Sequence, residues 1–264
     1  MKIRHCSPRP ALNECSLESC AYQVDPYIGC AHLCHYCYAL NGAETNWSRE
    51  ILYYEDIQTQ LATELEGIPA QHIYMGWKTD PYQPCEEELK QTRRVLELLH
   101  SRGFSVSILT KSNLVLRDLD ILTSMDQSAI SLSVAFDDEN TRELLEANTM
   151  STLARIEALK ECKQAGLRVS AMICPVIPYV NDPIPILEKV TPFVNKIWVY
   201  GLSILDESET NWKNIDDLLK KKYPSEYSEM RNAIFDRTHH FWAELRAEIL
   251  DACSRRSFDL SIHI

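Results

Sequence analysis

Short apolar runs alternate with amphipathic stretches six times along the chain, and this alternation limits the available folds more than any other feature. The runs are AYQV (21–24), HIYMG (72–76), FSVSILT (104–110), AISLSV (129–134), LRVSAMIC (167–174) and KIWVYGL (196–202). Between them Ile57, Leu61 and Leu65, then Leu89, Thr92, Leu96 and Leu99, then Leu153, Ile156 and Leu159 recur at helical spacing. Gly67, Gly103 and Gly166 stand where helices end, and Asp182-Pro183 reads as a helix opening. Strands apolar on both faces and joined by helices form parallel sheets with right-handed crossovers. The expected fold is therefore α/β: a partial (β/α)6 TIM-like barrel, since six units fall short of the eight that close a full one. A doubly wound open sheet is the structural alternative. Residues 1–21 read as an N-terminal arm, 22–205 as the barrel and 206–264 as a C-terminal helical extension packed on it. In that extension Tyr227, Met230, Ile234, Phe241, Leu245 and Ile249 keep helical spacing.

Charge and cysteine usage narrow the function. The formal net charge is −11, and the longest basic run, Lys220-Lys221-Lys222, reads as a solvated helix end. Nucleic acid is therefore not the favoured partner, because phosphate contacts need basic patches. No window approaches the ~18 apolar residues of a membrane span, and no stretch resembles a secretion signal; a cytoplasmic location is expected. Of the ten cysteines, six fall in the first 37 residues. A secreted disulfide scaffold would be shorter, so clustered cysteines point to a metal or redox centre.

The chemistry concentrates in Cys30-x3-Cys34-x2-Cys37. Three thiolates within eight residues can wrap an inorganic centre but leave one position open. A structural zinc site wants four ligands; a [4Fe–4S] cluster held by three cysteines keeps one iron free for the amino and carboxylate groups of a bound molecule. Tyr36 and Tyr38 flank the last cysteine and either shield the cluster or lie over that molecule. The alternative is zinc, with a fourth ligand from His32, His35, Cys20 or Cys15, in a nucleic-acid-binding protein. An iron–sulfur electron-transfer or binding protein is another, although it would normally use four cysteines.

CxxxCxxC with an aromatic residue before its last cysteine resembles the signature of the radical S-adenosylmethionine (SAM) superfamily. DPYIGCAHLCHYCYA (25–39) is similar to its spore photoproduct lyase-like branch, which usually has asparagine where this chain has Asp25. The likeness continues through TDPYQP (79–84), TRRVLELL (92–99), LTKSNLVLRDLDIL (109–122), SLSVAF (131–136) and PVIPYVND (175–182). It implies a radical SAM partial barrel, a [4Fe–4S] cluster on Cys30, Cys34 and Cys37, and reductive cleavage of SAM to methionine and a 5′-deoxyadenosyl radical. Lys111, Ser133, Arg155, Gly76 and Tyr36 are then the expected SAM contacts. Asp80, Tyr38 and Cys174 are the catalytic candidates. Cys174 joins them because the C-terminal end of a barrel strand faces the active-site mouth and a thiol gives up a hydrogen atom readily. A flavodoxin or ferredoxin-type donor and a small-molecule, nucleoside or peptide substrate are the expected partners. One departure matters: the lyase has a hydrogen-donating cysteine beyond its second strand, where this chain reads Gly76-Trp77-Lys78-Thr79-Asp80. The long N-terminal part of that lyase is also missing, and both points argue against thymine-dimer repair.

Overall fold

The computed structural model describes residues 1–17, 19–254 and 258–264. Its strands are β1 (Lys2–His5), β2 (Leu12–Glu14), β3 (Tyr22–Val24), β4 (Tyr27–Ile28), β5 (Glu50–Tyr53), β6 (His72–Met75), β7 (Ser105–Thr110), β8 (Ala129–Ser133), β9 (Arg168–Val176), β10 (Lys196–Gly201) and β11 (Asp259–His263). Its helices are α1 (Ile57–Glu64), α2 (Glu86–Leu89), α3 (Gln91–Ser101), α4 (Leu119–Leu122), α5 (Glu139–Leu145), α6 (Thr152–Gln164), α7 (Ile184–Val190), α8 (Thr210–Lys222), α9 (Tyr227–Phe235) and α10 (His240–Cys253). The main sheet runs in the order β11-β10-β9-β8-β7-β6-β3-β2. It is parallel from β3 through β11, with β2 antiparallel at one edge. The six expected runs are thus neighbours in chain order, as a partial barrel requires.

Alternate residues of each central strand divide between two environments. Ile73, Val106, Ile108, Ile130, Leu132, Val169, Ala171, Ile173, Ile197 and Val199 are fully buried and share one core with Leu61, Leu96, Leu99, Ile156, Leu159, Leu187 and Trp242 of the helices. Burying each such Leu, Ile or Val side chain contributes about 1.5–3 kcal/mol, so this layer holds the sheet to its helices. The opposite face carries half-buried and mostly polar side chains. There His72 is held between the Ser105 and Ser107 hydroxyls, 2.7 Å from each. Ser131 and Ser170 face each other at 2.9 Å, and Trp198, Tyr200 and His263 stack in near-parallel planes.

Besides α5 and the strands β4 and β5, which the sequence reading did not contain, three features differ from it. The first 21 residues contain two strands: β1 pairs with β5 in a small sheet with β4, and β2 extends the main sheet. The helix read from Glu86 onward is two helices, broken at Lys90 with φ 52°. The break arises because the buried Glu86 carboxylate turns back to accept the N–H of Thr92 (2.9 Å) and Arg93 (3.3 Å), capping α3. At the other end, β11 pairs in parallel with β10 and adds a strand to a segment read only as helical.

Candidate active site

The cysteine loop leaves β4 at Gly29 and is fastened on both sides. Ala31 N–H donates to Gln83 Oε1 (2.8 Å), and Gln83 Nε2 donates back to the Gly29 carbonyl (3.0 Å). From the segment after α5, Asn148 Nδ2 donates to the Ala31 carbonyl (3.0 Å), and at the end of α5 the Leu145 carbonyl accepts the His35 N–H (3.0 Å). From α8, Asn214 Nδ2 donates to the His35 carbonyl (2.8 Å). Leu33, with φ 52°, bends the chain between the first two cysteines. Cys34 and Tyr36 are buried with Trp212, Ile215 and Leu219 of α8 and Met230 and Ile234 of α9, so the C-terminal helices cover the loop.

The donor set suits an iron–sulfur cluster. Cys30, Cys34 and Cys37 are free thiols on one loop. Burial pushes the Cys30 thiol up to about 12, with the Asp80 charge adding to it. Burial also raises Cys34 and Cys37, while the Lys111 ammonium pulls both the other way. Bound iron would stabilise the thiolates that burial alone disfavours. Among the described residues no three His, Cys, Asp or Glu side chains are placed to hold one metal ion; each cysteine of a cluster binds a different iron, so its thiols need not converge on one point. The histidines weighed as zinc ligands have other partners. His32 Nδ1 sits 3.0 Å from the Asn148 carbonyl and its Nε2 lies 3.2 Å from Asp80 Oδ2, close enough to pair but not aligned for a hydrogen bond. His35 Nδ1 is 3.3 Å from the Asn214 carbonyl. Cys15 and Cys20 lie in the β2–β3 hairpin, before β3, whereas the cysteine loop follows it.

Most of the other candidates sit at the C-terminal ends of the strands. After β6, Gly76 has φ 100°, and a Cβ there would lie 2.2 Å from the Leu109 carbonyl oxygen; close backbone approach accounts for the glycine. Asp80 is buried and accepts from Thr110 Oγ1 (2.6 Å), Lys111 N–H (2.7 Å) and Tyr82 N–H (2.8 Å). Burial pushes its pKa up, but the His32 ring and these donors outweigh it and hold the carboxyl at about 2. Asp80 therefore ties the β6 loop to the end of β7 and fixes the backbone of Lys111. Asp25 does similar work one strand earlier, accepting the N–H groups of Lys78 (3.0 Å) and Thr79 (3.3 Å). Tyr38 is partly exposed; its hydroxyl donates to the Trp77 carbonyl and its ring packs edge-on against Trp77.

Lys111 follows β7. Burial lowers its pKa, yet Cys34 and Glu146 outweigh this and raise it, so the ammonium stays charged. Its Nζ lies 5.9 Å from the Tyr36 ring centroid. Ser133, ending β8, donates to the Cys174 carbonyl (3.3 Å). Arg155 is fully buried, not at the surface, and its donors are already engaged: Nη1 with the Ser133 carbonyl (2.8 Å), Nη2 with Glu146 (2.7 Å) and Thr149 (3.2 Å), Nε with the Met150 carbonyl (3.0 Å). The Tyr36 hydroxyl donates to Glu146. Cys174 shares the half-buried polar face with Ser170 and Met172. Burial pushes its thiol up to about 11 against the pull of Lys111, with Glu146 and Cys37 adding to the rise.

Glu146 escaped the sequence reading. It follows two leucines at the end of α5, and no spacing distinguishes it from a solvated helix-end glutamate. Gln83 was visible inside TDPYQP, where its role as a brace for the cysteine loop had no local signal.

The sequence matches the radical SAM superfamily over residues 24–185. Protein MJ0683 of Methanocaldococcus jannaschii is 29% identical over 237 residues, which cover 88% of this chain and 86% of that protein. A mutant spore photoproduct lyase superposes with TM-score 0.63 at 14% identity, over 84% of this chain and 66% of the lyase chain, so this chain spans just under two thirds of it. Streptococcus suis SuiB bound to its precursor peptide SuiA gives TM-score 0.59 at 12% identity, over 92% of this chain and 48% of SuiB. At these identities the structural likeness speaks to the fold alone. The open parallel barrel, the three-thiol loop and the sequence match over well over half the chain agree: this protein belongs to the radical SAM superfamily.

Proposed function

We propose that Cys30, Cys34 and Cys37 hold the [4Fe–4S] cluster that this superfamily uses, and that the enzyme takes a hydrogen atom from a small-molecule, nucleoside or peptide substrate. The observation that carries the reading is the pairing of three free thiols on one loop with a charged lysine at the strand ends. When bound there, the cluster would supply the one-electron reduction of the SAM sulfonium that starts this superfamily's radical chemistry. A flavodoxin or ferredoxin-type protein supplies that electron.

The chain's own residues orient the reactants. Lys111 has no ion-pair partner among the described residues and offers its ammonium to the SAM carboxylate. Ser133 presents a hydroxyl on the same face, and Tyr36 lies between the ligands Cys34 and Cys37. The substrate lies along the polar face of the sheet. Its middle is floored by the small side chains of Ser107, Ala129, Ser131 and Ser170. Its β10–β11 side is walled by the Trp198, Tyr200 and His263 rings. Without a cysteine between Gly76 and Asp80, thymine-dimer repair is not the favoured reaction. Anaerobic, iron-reconstituted protein given SAM and dithionite should release 5′-deoxyadenosine; a colourless protein holding one zinc would overturn the reading.

Lys111→Ala should retain the cluster but bind SAM more weakly. Losing one charged hydrogen bond costs about 1.5–3 kcal/mol, roughly ten- to a hundredfold in Kd. Equilibrium dialysis with labelled SAM measures it, and an unchanged Kd would remove Lys111 from the site.

Cys174 sits where a hydrogen donor would serve, and burial keeps its thiol protonated. Cys174→Ala should leave 5′-deoxyadenosine formation intact while the product radical no longer receives the solvent-exchangeable S–H hydrogen of a thiol. Mass spectrometry in D2O reads this out; wild-type deuterium incorporation would make Cys174 a packing residue.

A further inference from the structure

We infer that Glu146 is the positioning residue of the cysteine loop, fixing the Tyr36 ring on the SAM-facing side while occupying Arg155 so that, of Arg155 and Lys111, only the lysine remains available. The inference rests on the cluster and SAM reading above and adds a residue to it.

The geometry is a continuous run of contacts. The Tyr36 hydroxyl, one residue from Cys37, donates to Glu146 Oε1. Glu146 Oε2 accepts from Arg155 Nη2 at 2.7 Å and from Thr149 Oγ1 at 3.4 Å. Arg155 Nη1 holds the Ser133 carbonyl, and Ser133 Oγ holds the Cys174 carbonyl. One carboxylate thus links the cysteine loop to the ends of β8 and β9. Both Glu146 and Arg155 are completely buried, where an ion pair must be well hydrogen-bonded to be tolerated.

Two consequences follow for a bound ligand. Arg155 has spent its reachable donors on protein acceptors and has no exposed surface, so it is not the group that meets the SAM carboxylate. Tyr36 is restrained at both ends, by its backbone between two ligand cysteines and by its hydroxyl on Glu146. A ring fixed in this way presents one face without having to be ordered when SAM arrives. The neighbouring segment reinforces the arrangement, because Leu145 and Asn148 grip His35 and Ala31 of the same loop.

The test compares Glu146→Ala, Glu146→Gln and Tyr36→Phe in the full-length, anaerobically reconstituted chain. Iron per chain, thermal stability of the apoprotein, SAM Kd of the cluster-loaded fraction, and the change that SAM makes in the electron paramagnetic resonance spectrum of the reduced cluster are measured. Glu146→Ala and Tyr36→Phe should each raise the SAM Kd, by about tenfold and by several-fold respectively, and diminish the SAM-dependent spectral change. Glu146→Gln keeps an acceptor for the Tyr36 hydroxyl and should recover most of the affinity. The double variant Glu146→Ala/Tyr36→Phe should be no worse than Glu146→Ala alone, since both cut the same link. A lowered melting temperature with wild-type SAM Kd in every loaded variant would make Glu146 a structural residue only. If Glu146→Ala does not fold, Tyr36→Phe decides: an unchanged Kd overturns the proposal. Wild-type protein that takes up iron but does not bind SAM would instead overturn the underlying reading.

Discussion

Changing any one of Cys30, Cys34 or Cys37 to alanine should abolish both the bound cluster and 5′-deoxyadenosine formation. The effect is expected to be complete rather than graded because a three-thiol set has no spare ligand. Two remaining thiolates bind an iron–sulfur cluster poorly, and His32 and His35, the other donors on the loop, already face Asn148, Asp80 and Asn214. Each variant should emerge from anaerobic reconstitution without the brown absorbance of the parent and with iron near background. Retention of full iron in Cys37→Ala, the least buried of the three, would show that another side chain completes the set.

Gly76→Ala should be the most damaging of the Gly→Ala changes. The added Cβ would stand 2.2 Å from the Leu109 carbonyl oxygen and 3.3 Å from Pro81 Cδ, on a backbone with φ 100°. The oxygen belongs to β7 and cannot swing aside as a flexible side chain would. Backbone strain of about 1–3 kcal/mol and overpacking of about 1–3 kcal/mol add, lowering Tm by on the order of 10 °C in a chain of this size. The same displacement would disturb the loop that carries Asp80, and through it Lys111, so SAM affinity should fall as well. Thermal unfolding monitored by circular dichroism gives the first number and SAM dialysis the second. A Tm within 2 °C of wild type, taking about 2 °C as the least shift expected per kcal/mol, would mean that β6 and β7 can separate more easily than their register suggests.

How much of this was legible depends on the range over which each signal acts. Alternation and helical spacing are local, so the six core strands and most of the helices lay open in the sequence, as did the three-thiol loop. The break at Lys90 was hidden because Glu86 acts on Thr92 and Arg93 through a cap that only burial makes worthwhile. β11 was hidden for a different reason: DLSIH is short, and only the free edge of β10 makes it a strand. Arg155 was named from the resemblance as a SAM contact, and its surroundings were not legible, since nothing in the chain says that Glu146, Ser133 and Met150 close around it. Spacing reveals what residues do to their neighbours in sequence; charge networks are made by neighbours in space.

The braces on the cysteine loop bear on how the protein is assembled and repaired. In small zinc modules the metal organises its own loop, and its removal unfolds the domain. Here Gln83, Asn148 and Asn214 hold the loop backbone with protein hydrogen bonds, and α8 and α9 pack over it. With those bonds kept in the cluster-free chain, most of the entropy of ordering the loop would be spent on folding rather than on iron uptake. A delivery protein would meet a vestibule already shaped, and oxidative loss of the cluster would leave a folded receptacle ready for another, so damage by oxygen should be reversible by re-loading rather than a route to degradation.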